Sequence, residues 1–254
     1  MGNTDRTWKK LGEIDPYFGV LAHPRFRAAA TEGEIRREFF TSGEDHIERF
    51  FAIIRETLDP EFAPRRALDF GCGVGRVTIP LARRVAQVVG VDVSDSMLSE
   101  ANKNCEEAGV RNVTLLKSND GLENLPGDFD FIHSFIVFQH IPARRGEMIF
   151  RQLLRRLADN GVGALHFTYA GRVPGWVRLL HGLCEIVPSA YSLVNLAKGR
   201  PIRYPYVEMN SYNVNRLILH LHEHGCHRVH LRFSEHSIHR GAVLFFKKEA
   251  LPLL

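Results

Sequence analysis

The chain changes its hydrophobic rhythm twice. Up to residue 64 there is no alternation of strand and helix patterns. A charged helical stretch over residues 32–40 meets Thr41-Ser42-Gly43, where the sequence predicts a break. Residues 44–58 then carry Ile47, Phe50, Phe51, Ile54 and Leu58 at helical spacing, and Asp59-Pro60 ends the run. From Arg65 short apolar runs alternate with helical segments. Strands are predicted over residues 67–70, 87–91, 113–117, 129–135 and 162–168, and helices over 77–85, 95–108 and 144–158. Ser94 is placed to cap the second of these helices, with Gly109 just past its end. This alternation predicts a mostly parallel sheet with helices on both faces and right-handed crossovers.

Residues 171–210 interrupt the pattern. Trp176, Leu179, Leu180, Leu183, Ile186 and Val187 form an apolar stripe at helical spacing. It is read as a lid helix over the site, with a homodimer contact or a membrane-surface helix as the alternatives. A helix over residues 212–224 and two strands, 228–233 and 242–247, follow. The short link between these strands suits antiparallel neighbours. On strand 228–233, Val229, Leu231 and Phe233 are expected on the apolar side and His230 on the polar side.

Composition narrows the class only modestly. A chain of 254 residues suits one α/β domain with additions: a cover over residues 1–64 and a core over 65–254 holding the 171–210 insertion. The charge, 33 basic minus 29 acidic residues, is +4 and too small to point to nucleic acid by itself. Cys72, Cys105, Cys184 and Cys226 include no CxxC pair, and no signal-peptide run or membrane-length apolar stretch is seen. A reduced, cytoplasmic protein is expected. Seven of the 13 histidines fall between His220 and His239, but no further ligands converge there in the sequence, so no metal is expected.

The chemistry gathers at Asp69-Phe70-Gly71-Cys72-Gly73-Val74-Gly75-Arg76, between the first predicted strand and its helix. Glycine permits the sharp turn and a close approach of the backbone to a ligand. The next strand ends in Asp92, whose carboxylate suits ribose hydroxyls. A dinucleotide site would want a third glycine where Arg76 stands. Asp69 suits an ammonium group better than a pyrophosphate.

In these residues the chain resembles the class I S-adenosylmethionine-dependent methyltransferases over residues ~65–170. Leu68–Gly75 is similar to the family's first motif, and Val91-Asp92-Val93-Ser94 with Met97-Leu98 to its second. Ser118-Asn119-Asp120 follows the third strand, residues 129–142 resemble the fourth motif, and Asn160-Gly161 matches the turn before the fifth strand. The resemblance implies a doubly wound, mostly parallel seven-stranded sheet whose last strand is antiparallel. It implies S-adenosylmethionine as cofactor and S-adenosylhomocysteine as product. The implied cofactor residues are Asp69, Gly71, Cys72, Gly73, Gly75, Asp92, Val93, Met97, Asn119, Asp120, Gly121, Ser134 and Phe135.

Ligands of open α/β sheets sit beyond the carboxyl ends of the strands. His140 is accordingly the candidate base or acceptor-orienting group, with a histidine packed under the cofactor as the alternative. Tyr17, His23, Gln139, Tyr169 and Trp176 are the candidate acceptor-binding residues. His133, mid-strand, is read as structural, and no base is assigned to make Cys72 a nucleophile. The fourth motif lacks the Asp/Asn-Pro-Pro-aromatic string of amino-methylating DNA enzymes, and no cysteine follows a proline as in cytosine-C5 enzymes. A small or medium-sized acceptor methylated on O or N is therefore expected. An RNA or protein methyltransferase and a non-catalytic cofactor-binding protein are the alternatives.

Overall fold

A computed structural model describes residues 3–28, 33–171, 207–236 and 238–249. Trp176 and the apolar stripe of the insertion lie outside these residues. Seven strands form one sheet in the order β3-β2-β1-β4-β5-β7-β6. They are β1 (Arg66–Phe70), β2 (Gln87–Asp92), β3 (Val113–Lys117), β4 (Phe129–Ser134), β5 (Leu157–Gly171), β6 (Arg228–His236) and β7 (His239–Lys247). The first five pair in parallel. β7 runs antiparallel to both β5 and β6, so the closing hairpin is antiparallel as predicted.

Among the described residues the α-helices are α1 (Asn3–Ile14), α2 (Pro16–Val20), α3 (Gly33–Thr57), α4 (Thr78–Ala82), α5 (Asp95–Glu107), α6 (Ala143–Arg155) and α7 (Val214–Glu223). Successive strand residues serve opposite cores because side chains alternate across a strand. Leu68, Val89, Ile132, Leu165 and Leu244 pack with Phe150 and Leu154 of α6 and Leu217 of α7. Ala67, Val88, Phe131, Ala164 and Phe245 pack with Ile47, Phe51 and Ile54 of α3 and Leu81 of α4. Among the described residues no helix is long and apolar enough to cross a membrane.

Three sequence expectations are corrected. The break at Thr41-Ser42-Gly43 is absent, and α3 runs through it. The glycine is there for packing, since a Cβ on Gly43 would sit 2.0 Å from the Arg76 carbonyl oxygen. α1 was not expected. Its buried Thr4 and Leu11 flank Trp8 at i, i+4 and i+7, but Arg6, Lys9 and Lys10 mask the stripe. On β6 only Leu231 keeps the expected apolar side, packed against the core. His230 is half-buried against the Phe245 ring, whereas Phe233 is 74% exposed, because β6 is the sheet's edge strand. Ser94 caps α5 as expected, accepting a hydrogen bond from the Met97 N–H at 3.4 Å.

Candidate active site

A cleft with about 800 Å³ of unfilled space, open solvent included, lies at the carboxyl ends of β1, β2 and β4. Its floor begins at the turn after β1. Gly71 and Gly73 hold φ of +78° and +53°, in the left-handed region that favours glycine. A Cβ on Gly71 would meet Val137 at 2.3 Å, and one on Gly73 would meet Val20 at 2.5 Å. Both positions thus need glycine for conformation and for space.

Asp92, at the end of β2, lies across from this turn. Its Oδ2 accepts the Gly73 N–H at 3.1 Å and its Oδ1 the Ser94 N–H at 2.9 Å. Burial raises its carboxyl to about pKa 6, opposed by hydrogen bonds from the backbone amides. Val93, Met97, Phe70 and Val91 supply apolar wall beside it. A carboxylate flanked by a glycine turn and apolar surface is an arrangement that fits a nucleoside with free ribose hydroxyls.

Asp120 reaches the same cleft, but its carboxylate is already held. The Arg145 guanidinium bonds Asp120 Oδ1 and Oδ2 at distances of 2.7–3.0 Å and Asp5 Oδ1 and Oδ2 at 2.7 and 3.0 Å. One arginine of α6 therefore ties α1 to the loop after β3. Thr4, Asp5 and Trp8 of α1 and Gly19 and Val20 of α2 all line the cleft. Sequence reasoning missed Trp8, Asp5 and Arg145. The signal for the first was the Thr4, Trp8, Leu11 spacing; nothing local marks the other two.

His140 also lines the cleft, and Trp8 stands over it with ring centroids 4.8 Å apart. Its Nδ1–H donates to the Glu208 carbonyl at 2.9 Å, so Nε2 accepts from the Gln139 side-chain amide at 3.0 Å. Gln139 in turn accepts from the Thr168 hydroxyl at 3.1 Å. Burial lowers the imidazole to about pKa 4, which leaves it neutral at pH 7. Gln139 is buried behind His140 and does not line the cleft.

The remaining sequence candidates fall into two groups. Gly71, Gly73, Asp92, Val93, Met97, Asp120, Phe135 and His140 line the main cleft. Asp69 and Cys72 line a smaller cavity beside it, and burial pushes the Cys72 thiol well up. Both Asp69 oxygens are engaged, one by the Thr78 hydroxyl at 2.7 Å and the other by His133 Nδ1 at 3.0 Å. His133 also meets His46 at 2.9 Å, in line with a structural role. Gly75, Asn119, Gly121, Ser134, His23 and Tyr169 line neither cavity. The Ser134 hydroxyl donates to the Phe70 carbonyl, and the Asn119 amide to Glu123. Tyr17 is buried, with its hydroxyl on Glu100 and Asn104, and it packs on Phe39. It supports α2 from behind and leaves the cleft wall to Gly19 and Val20. Among the described residues no group of three or more His, Cys, Asp or Glu is placed to hold a metal.

Comparison with known proteins places this geometry. Residues 67–161 match a family model described as a methyltransferase domain. A 23S rRNA (uracil(1939)-C(5))-methyltransferase, RlmD, of Burkholderia thailandensis is 35% identical over 100 residues, which are 39% of this chain. The chain spans only 22% of the length of that relative. Among solved structures, magnesium protoporphyrin IX methyltransferase of Synechocystis PCC 6803, with bound SAH, aligns at TM-score 0.57 and 18% identity, covering 93% of this chain and 99% of that one. The N-methyltransferase NodS of Bradyrhizobium japonicum WM9 aligns at TM-score 0.59 and 13% identity, covering 98% and 100%. With its glycine turn, its acid-tipped second strand and its sheet order, the chain has the Rossmann-like fold of the class I S-adenosylmethionine-dependent methyltransferases, and its residues 67–161 match a methyltransferase domain.

Proposed function

We propose that the protein transfers a methyl group from S-adenosylmethionine to an O or N atom of a small or medium-sized acceptor. The observation that carries the reading is Asp92, set at the cleft floor opposite the Gly71–Gly73 turn. Asp92 would receive the ribose hydroxyls. Met97, Val93 and Phe70 would flank the adenine. The cofactor, when bound, supplies a methyl on a sulfonium whose thioether leaves as a neutral group. The chain's task is then to orient the acceptor for in-line approach and to exclude water, effects that can supply roughly 7–11 kcal/mol in favourable models. Trp8, His140, Ile141 and Ile149 are the wall available for this. His140 is neutral with both ring nitrogens engaged, so it serves first as an orienting surface. Proton transfer at Nε2 would need Gln139 to release it.

The similarity to RlmD supports a second reading, an RNA acceptor. It is confined to 100 residues, 39% of this chain and 22% of that relative, and most of the relative has no counterpart in it. One assay separates these readings. Transfer of labelled methyl from S-adenosylmethionine is measured against ribosomal RNA and against a panel of small phenols, carboxylic acids and amines. Labelling of a small compound supports the first reading. Labelling of RNA alone, with affinity that falls steeply with salt, supports the second. S-adenosylmethionine binding without any transfer would favour a non-catalytic binding protein, and no binding at all would overturn the proposal.

A further inference from the structure

The two sides of the sheet present different surfaces to solvent. α6 and α7 cover one side, and α3 and α4 the other. Among the described residues seven large apolar side chains are exposed, and five of them are on the α6–α7 side. Met148 of α6 is 52% exposed, and Leu219 of α7 is 53% exposed with Ile218 beside it. Val229 and Phe233 of β6 share the sheet face of Leu231, which packs on that core, yet both are exposed. α3 contributes none of the seven, and its exposed charges mix Arg37 and Arg49 with Glu38 and Glu48.

Charge separates the two sides as well. Arg144, Arg151 and Arg155 of α6 are exposed and share one helix face with Met148 by their spacing. Among the described residues no carboxylate lies within 4.0 Å of any of these three guanidinium groups. The stripe itself carries no acid. Arg216 and His220 of α7 reach Glu147 of α6 at 2.6 and 3.8 Å, so the two helices lie side by side and their outer faces adjoin. Exposed apolar side chains rimmed by polar ones mark an interaction surface.

We propose that the outer face of α6 and α7 docks on an anionic lipid surface, with Met148, Ile218 and Leu219 entering the headgroup boundary and the three arginines meeting lipid phosphates. Apolar side chains beside unpaired cations are what binding in the plane of such an interface requires. Arginine suits the boundary because its stem lies along apolar surface while its guanidinium stays in the polar layer. A second copy of the chain is the poorer occupant, since a two-fold pairing sets this cationic face against itself. RNA would engage the arginines and leave the apolar side chains in water. None of these residues lines the main cleft, so the proposal does not rest on the methyl-transfer reading.

The test is flotation of the full chain with vesicles of phosphatidylcholine alone or with about one-third phosphatidylglycerol. The parent is compared with Arg144→Gln/Arg151→Gln/Arg155→Gln, with Met148→Ser/Leu219→Ser, and with Arg37→Gln/Arg49→Gln on α3. The parent should bind the mixed vesicles at least about tenfold more tightly than phosphatidylcholine, and added salt should weaken that binding. The arginine and apolar variants should each lose about tenfold or more, and the α3 variant less than about twofold. Every changed side chain is exposed, so melting temperature should follow the parent's. If either α6–α7 variant melts lower, Arg151→Gln and Met148→Ser singly carry the same comparison. No binding of mixed vesicles by the parent, or undiminished binding by either α6–α7 variant, overturns the proposal. Tighter binding of polyuridylate or of poly-L-glutamate than of mixed vesicles assigns the face to RNA or to an acidic protein and overturns it too.

Discussion

Gly43 of α3 lies directly on the backbone of Arg76, with room for a hydrogen and nothing larger. Two effects compete in Gly43→Ala. Alanine favours the helix by about 1 kcal/mol. The added methyl would stand 2.0 Å from a backbone oxygen that cannot rotate away. Overpacking of this kind costs about 1–3 kcal/mol, and a backbone partner puts it at the upper end. A net loss of about 2 kcal/mol is expected, read from the midpoint of chemical denaturation. A variant as stable as the parent would show that α3 can shift away from the glycine turn.

Asp92→Ala should weaken S-adenosylhomocysteine binding by at least about 2 kcal/mol in calorimetry, as loss of hydrogen bonds to a charged group does. The parent's affinity should also depend on pH. The carboxyl titrates near 6, so as pH falls through that value it gains a proton and accepts hydroxyl donors less well. Affinity should decline below pH 6 in the parent and stay flat and weak in Asp92→Asn. A flat profile in the parent would remove Asp92 from the ribose site.

The same two titrations predict how stability follows pH. His140 is lowered to about 4 from an ordinary value near 6.5, so its contribution is full above 6.5 and is lost as pH falls toward 4. Asp92 is raised to about 6, so its contribution is full below its ordinary value near 3.8 and is lost as pH rises through 6. Between pH 7 and 5 the slopes oppose, a loss of about 2 kcal/mol against a gain of about 1. Asp92→Asn removes the gain. Its denaturation midpoint should fall more steeply between pH 7 and 5 than the parent's.

Arg145 carries α1. Its guanidinium is partly buried between Asp5 and Asp120, and both partners hold it further toward the charged form. Arg145→Ala should cost about 1–2 kcal/mol, more than an exposed pair because two carboxylates lose one shared donor. Limited proteolysis should then cut within residues 3–14 earlier than in the parent. Unchanged cleavage would mean that Leu11 and Trp8 hold the helix by packing alone.

The core was legible where local pattern and tertiary role agree. β1–β4 were bounded to within a residue because each is a short apolar run, and those of β1 and β2 stop at a glycine, Gly71, and an acid, Asp92. The glycine turn, Asp92, Met97, Phe135 and His140 were found because their places follow from chain order along the sheet. Long-range partners were hidden. Gly43 looked like a break because only Arg76, 33 positions away, explains it. Tyr17 looked available to a ligand because its sequence neighbours say nothing of Glu100 and Asn104. His230 was assigned to the wrong environment because alternation along an edge strand does not tell which face is covered.

Ile136 stands at the junction of the two cavities with φ of +62°. A β-branched residue in that region costs about 1–2 kcal/mol and persists only where its surroundings leave no alternative. The wall at this point is consequently a fixed mould. Whatever enters either cavity meets a backbone whose course was set during folding.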